Sequence, residues 1–205
     1  MPTSQNRARE ILGRNFLGIE VATKHFDAAF TSETPVALAS VPFSESTLEE
    51  CKTTHLLVAG FPMTVLDVRA NTTRGSKAFD SYAYGEIWFN TERFATTEKV
   101  NLGWYLLRKE VVSGSVERSF WQQQTMLSPK EEVPRACELV YALVLYFLAL
   151  TQGRHLLLDC AARCIDLDSL GRRVWVGSDS GGIFIYSCDE GPKERTGVAA
   201  IRKIN

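Results

Sequence analysis

The sequence predicts an α+β fold in which two helices pack on an antiparallel sheet, and three features of the chain predict it. One long apolar segment, Leu139 to Leu150, carries nonpolar residues all round a helix axis. A shorter amphipathic segment precedes it, and four short strand-like segments follow it, separated by turn residues. That order, strand, helix, helix and then a run of strands, suits helices laid on a sheet.

The elements follow in chain order. Ile19 to Phe26 and Ser46 to Lys52 are expected helices, His55 to Phe61 an expected strand, and Asn71 to Lys77 a polar loop. Gly103 to Glu110 is rich in strand formers and ends in charge. Val116 to Leu127 suits a short helix, with Phe120 and Trp121 among its apolar residues. Ser128, Pro129, Glu131 and Glu132 read as a capping signal for the long helix, expected from about Pro134 to Gln152, and Gly153 reads as its stop. His155 to Asp166, Arg172 to Gly177, Ile183 to Ser187 and Thr196 to Ile204 are the expected strands of the last quarter. No linker-like stretch stands near residue 100. Residues 1–99 are therefore expected to be an elaboration that buttresses a domain formed by residues 100–205.

Composition narrows the function classes. The 205 residues include 45% hydrophobic ones, enough for a real core. Twenty-three basic residues against 24 acidic ones leave a net charge of -1, so no global field recruits nucleic acid or an acidic membrane. No apolar segment reaches the ~20 residues of a bilayer span, and the polar start, Met1 to Glu10, does not read as a secretory signal. The expected location is the cytoplasm or a virion. In a reducing compartment the five cysteines are expected to be free thiols.

Four patterns suggest chemistry, and each has a plainer reading. Ser178-Asp179-Ser180-Gly181-Gly182 resembles a serine-protease nucleophile segment, with His55 and Asp67 as conceivable partners. The two partners lie only twelve positions apart and a long helix occupies the middle of the chain, so a glycine-rich hairpin turn is preferred. Asp166 and Asp168 begin like a calcium loop, but Leu170 and Gly177 stand where further oxygen ligands belong, and a turn capped by carboxylates is expected instead. Cys160 and Cys164, with His155 nearby, lie on a strand that spreads them too far for one zinc. The glycines at 177, 181 and 182 lack the Lys-Ser/Thr of a phosphate loop. No metal and no cofactor is expected.

A combination of segments carries a resemblance. Residues 166–177 (DLDSLGRRVWVG), 182–185 (GIFI) and 197–203 (GVAAIRK), with Gly103 to Lys109, Gln122 to Leu127 and Val133 to Tyr141 upstream, resemble the variable proteins of diversity-generating retroelements. The version they look most like is that of archaea, their viruses and small-genome bacteria. The resemblance covers about residues 100–205. It implies a C-type lectin-type fold with a hypervariable patch, rewritten by reverse transcription of a template copy whose adenines are mutated. Val174, Val176, Gly177, Gly182, Ile183, Ile185, Gly197, Val198, Arg202 and Lys203 match the family's framework. Ser178, Phe184, Tyr186, Ser187, Cys188, Asp189, Pro192, Arg195 and Thr196 are residues that the mutated asparagine-type codons can give; Trp175, Glu190, Lys193 and Glu194 are not.

Strand alternation supplies an independent reading of the same region. Val174, Val176, Ile183 and Ile185 can face a core while Trp175, Phe184 and Tyr186 face outward. The expected ligand-binding surface is Trp175, Ser178, Phe184, Tyr186 and Ser187 with the loop Cys188, Asp189, Glu190, Pro192, Lys193, Glu194 and Arg195. Its expected partner is a protein or cell-surface ligand. A serine hydrolase using Ser178 or Ser180, and an invariant structural subunit, are the alternatives.

Overall fold

The computed structural model describes residues 1–26, 34–72, 88–149, 156–157, 160–179 and 182–204, and statements about structure concern these residues. In chain order the elements are α1 (Gln5–Leu12), β1 (Phe16–Leu17), α2 (Ile19–His25), α3 (Thr34–Ala37), α4 (Glu45–Cys51), β2 (His55–Gly60), α5 (Val65–Thr72), α6 (Arg93–Thr96), β3 (Gly103–Arg108), α7 (Phe120–Thr125), β4 (Glu131–Glu132), α8 (Ala136–Ala149), β5 (Cys160–Leu167), β6 (Arg173–Asp179), β7 (Gly182–Cys188), β8 (Thr196–Val198) and β9 (Ile201–Arg202). The protein is α+β. The expected loop at Asn71–Lys77 begins inside α5, and its remainder, residues 73–77, lies outside the described residues, as does the predicted helix end at 150–152.

Two sheets form, in the orders β1-β2-β3-β9-β4 and β7-β6-β5-β8. Both are mixed, which corrects the expectation of one antiparallel sheet: β1 runs parallel to β2, and β5 parallel to β8. The cause lies in connections longer than a hairpin. Helices α2, α3 and α4 stand between β1 and β2, and β8 returns to β5 only after the β6–β7 hairpin. Strand β2 pairs with β3 from His55↔Arg108 to Gly60↔Gly103, so the two halves of the chain meet in one sheet across residue 100.

Helix α8 lies between the sheets, touching β1 and β2 on one side and β5, β6 and β7 on the other, with α2, α5 and α6 around it. Its all-round apolar sequence is matched by burial from Ala136 through Tyr146, apart from half-buried Glu138. Tyr141, buried in this stretch, donates its hydroxyl to the Ala59 carbonyl at 2.9 Å. The expected cap is corrected. Ser128 to Glu132 forms a turn and β4, while the first helical N–H, that of Ala136, donates to the Asp166 carboxylate from β5. Glu138 accepts the Arg135 N–H at 2.9 Å, so two donors at the helix start are satisfied by carboxylates.

Helix α7 begins where Ser119 and Gln122 form a reciprocal capping box. It packs on the opposite face of the four-stranded sheet from α8. Phe120 there joins Val112, Val198 and Ala200 in a small second cluster, with Met126, Leu127 and Val133 at its margin. The two predicted helices thus sandwich one sheet instead of sharing a face.

At the seam between the halves, Glu131 is buried on β4 and accepts Arg108 Nε at 2.6 Å. His55 stands 3.9 Å from the same carboxylate; its Nδ1 meets the Thr54 hydroxyl at 2.8 Å, and its buried Nε2 has no hydrogen-bond partner. Burial first, then the neighbouring Arg108 charge, pushes the His55 pKa down to about 4. A histidine whose folded pKa is depressed contributes stability above its unfolded pKa, near 6.5, and loses it as pH falls toward the folded value. Denaturant melts between pH 7 and pH 4 should therefore lose about 3 kcal/mol from this residue. The His55→Gln variant should flatten that slope, and an unchanged slope would assign the acid sensitivity elsewhere.

Candidate functional site

The β6–β7 hairpin carries the site. Its register, Val174↔Ser187, Trp175↔Tyr186, Val176↔Ile185 and Gly177↔Phe184, sets two faces. Val174, Val176, Ile183 and Ile185 are buried in the main core. On the outer face Trp175 and Phe184 are half-buried and Tyr186 is 50% exposed. The three rings form one cluster, with centroids 5.5 Å apart for Trp175–Tyr186, 5.7 Å for Phe184–Tyr186 and 6.0 Å for Trp175–Phe184. Gly177 makes room for it. A Cβ there would stand 2.5 Å from Phe184 Cζ and from the Cys160 carbonyl oxygen, so the ring lies across bare backbone.

Ser178 does not belong to this surface, which corrects the expected site. It has the same parity as Val174 and Val176, is fully buried, and donates its hydroxyl to the Leu156 carbonyl. The alternation that placed the valines inward places Ser178 inward too. The hydroxyl is thus engaged with backbone, and His55 and Asp67 are engaged elsewhere. Asp67 and Thr64 cap the start of α5 reciprocally, at 2.9 and 3.0 Å. Ser180 lies outside the described residues.

The remaining expected residues lie on the outer face or in the loop, except Ser187, which pairs with Val174 on the inner side of β7. Ser187 is half-buried and donates its hydroxyl to Asp168 at 2.6 Å, and Cys188 is half-buried. Asp189, Glu190, Pro192, Glu194 and Arg195 are exposed, and Lys193 is half-buried with its ammonium 3.6 Å from Asp189. The β5–β6 turn beside them is tied by Asp168, which accepts the N–H groups of Leu170 and Arg172 as well as the Arg172 guanidinium. Burial opposes ionisation of Asp168, but the Ser187 hydroxyl and the Arg172 donors outweigh it and hold its carboxyl down at about 2. Gly171, at φ 75°, supplies the left-handed residue that closes this turn. Asp166 caps α8 instead, so the two carboxylates that resembled a calcium loop serve two different structural ends.

Sequence reasoning missed the residues that border the patch. Arg173 lies over the Phe120 ring at 4.0 Å and binds the Glu190 carboxylate and the Ile165 carbonyl. Trp88 donates its indole N–H to the Ile185 carbonyl at 2.9 Å, on the edge strand β7. Glu92 accepts both the N–H and the hydroxyl of Ser169 at 2.8 Å. Trp88 thus docks on the hairpin and Glu92 on the β5–β6 turn, both from far away in sequence. The one signal available for Arg173 was a charge inside an apolar strand.

Among the described residues no group of histidine, cysteine or carboxylate side chains has the placement to hold a metal, the five cysteines are free, and no helix is long and apolar enough to cross a membrane. Comparison with protein-family models, with curated proteins and with solved structures found no match to this chain.

Proposed function

We propose that the protein is a non-catalytic ligand-binding scaffold of C-type lectin type, a variable protein of a diversity-generating retroelement, displaying the outer face of β6–β7 and the loop after it. One observation carries the reading: Trp175, Phe184 and Tyr186 form a contiguous, partly exposed aromatic cluster on a hairpin whose other face is core. Aromatic rings give rigid contact area at small entropic cost, and the exposed side chains of Asp189, Glu190, Glu194 and Arg195 give adaptable hydrogen bonds. Asp189 with Lys193 and Glu190 with Arg173 pair their charges locally, which favours a protein or cell-surface partner over a polyanion.

The genetic side of the proposal has its own test. The DNA beside the gene should hold a near-repeat of the segment encoding the last thirty or so residues, next to a reverse-transcriptase gene. Where those codons differ from the repeat, the differences should fall at adenines and at exposed positions such as Tyr186, Asp189 and Arg195. Absence of any repeat removes the hypervariable reading and leaves an invariant interaction surface.

A further inference from the structure

We infer that Arg163 is the positioning residue of the 189–195 loop, holding it through main-chain oxygen so that the loop keeps its path whatever side chains it carries. The purpose assigned to the loop rests on the proposed function; the latch itself does not.

Arg163 lies on β5 opposite Trp175, on the outer face of the sheet, yet it is fully buried. Its partners are neutral. One terminal nitrogen donates to the Arg118 carbonyl and to Gln123 Oε1, each at 2.9 Å, and the other donates to the Gly191 carbonyl. Among the described residues no carboxylate lies within ion-pair distance of it, although its charge reaches Asp189 and helps to hold that carboxyl down, and its Nε has no hydrogen-bond partner. Burying a guanidinium with no carboxylate in contact is costly, and a merely space-filling role would be served better by an apolar side chain. What the fork achieves geometrically is a bridge from β5 to the α7 lead-in, to α7 and to the loop, which no apolar residue can make.

The rest of the loop is held in the same way. The Glu190 carbonyl accepts the Phe120 N–H at 2.8 Å, the Lys193 carbonyl accepts the Glu117 N–H at 3.3 Å, and the Arg195 carbonyl accepts the Ala161 N–H at 2.9 Å. These acceptors belong to the backbone and survive any side-chain replacement other than one that alters the path. Gln123, also fully buried, completes the platform by donating to the Ser115 and Thr196 carbonyls at 2.8 and 3.0 Å. Among the described residues only Glu190 anchors the loop through a side-chain hydrogen bond to another element, at Arg173.

The N–H groups of Glu117 and Phe120 report directly on this docking, because their acceptors are loop carbonyls. Amide exchange would be measured by NMR on the full chain, comparing wild type with Arg163→Lys, which keeps the charge and loses the fork, and with Glu190→Ala. Arg163→Lys should speed exchange at Glu117 and Phe120 about tenfold or more while the β6 and β7 amides of Val176 and Ile185 stay within about threefold. Glu190→Ala should have the smaller effect. Equal exchange in wild type and Arg163→Lys, a uniform rise over β6 and β7, or failure of Arg163→Lys to fold would each overturn the inference by making Arg163 idle or generally structural. None of these readouts involves a ligand or a template repeat, so they can fail while the display reading stands, and the reverse.

Discussion

Val176→Asp should abolish folding. Val176 is fully buried on the inner face of β6, in the core shared with α8. A carboxylate there has no donor designed to meet it, and an ionised group without a partner is too costly to bury. The side chain would instead take up a proton, and holding an aspartate neutral at pH 7 costs about 4 kcal/mol from its ordinary pKa alone. The lost valine contacts add to this. Against a total stability of roughly 5–15 kcal/mol for a natural domain, the sum leaves little or no folded population. Circular dichroism should show the loss of cooperative melting, and a variant that melts within a few degrees of wild type would mean that this strand face is not core.

The next largest effect is expected at Leu143. It is 3% exposed on α8, between the two sheets, where removal of three carbons leaves a cavity that neither sheet can close without giving up its own packing. Leu143→Ala should cost about 2–5 kcal/mol in denaturant melts. A loss below about 1 kcal/mol would show that α8 is not the centre of the core. Phe147, one turn later, is only partly buried, and its truncation should cost less than a fully buried phenylalanine does.

The parts of this fold that were legible in the sequence are those set by local pattern. Helix α8 announced itself because a stretch apolar on every side must be covered on every side, and the hairpin faces followed from strict alternation at residues 174–176 and 183–185. What stayed hidden is set by partners distant in sequence. The α8 cap is Asp166, thirty positions after Ala136, so Ser128 looked like the local candidate. The segment Thr196 to Ile204 reads as one strand, yet β8 belongs to one sheet and β9 to the other, with Ala199 and Ala200 between them. Nothing local marks that crossing, since alanines and valines suit both sheets.

The candidate site divides in the same way. Trp175, Phe184 and Tyr186 were found by parity, and the same parity, carried two residues further, would have excluded Ser178. Arg163 illustrates the opposite case. Its position on an outer strand face predicts exposure, but α7 and the 189–195 loop cover it, and neither cover is visible from β5 alone. Burial imposed by a third layer escapes a reading based on strand period.

The measurement that bears most directly on the display surface is a paired melt. The triple variant Phe184→Ser, Tyr186→Ser and Arg195→Ser removes two of the three clustered rings and one exposed charge, all from the outer face and its loop. Aromatic pairs are worth about 0.5–1.5 kcal/mol beyond area, and exposed substitutions usually fall within about 0.5 kcal/mol. All three ring pairs are lost, so the account predicts a cooperative melt about 2–4 kcal/mol below wild type, still short of the collapse expected of Val176→Asp measured beside it. If the triple variant is as unstable as Val176→Asp, these side chains are packing residues and the face is not a site of display.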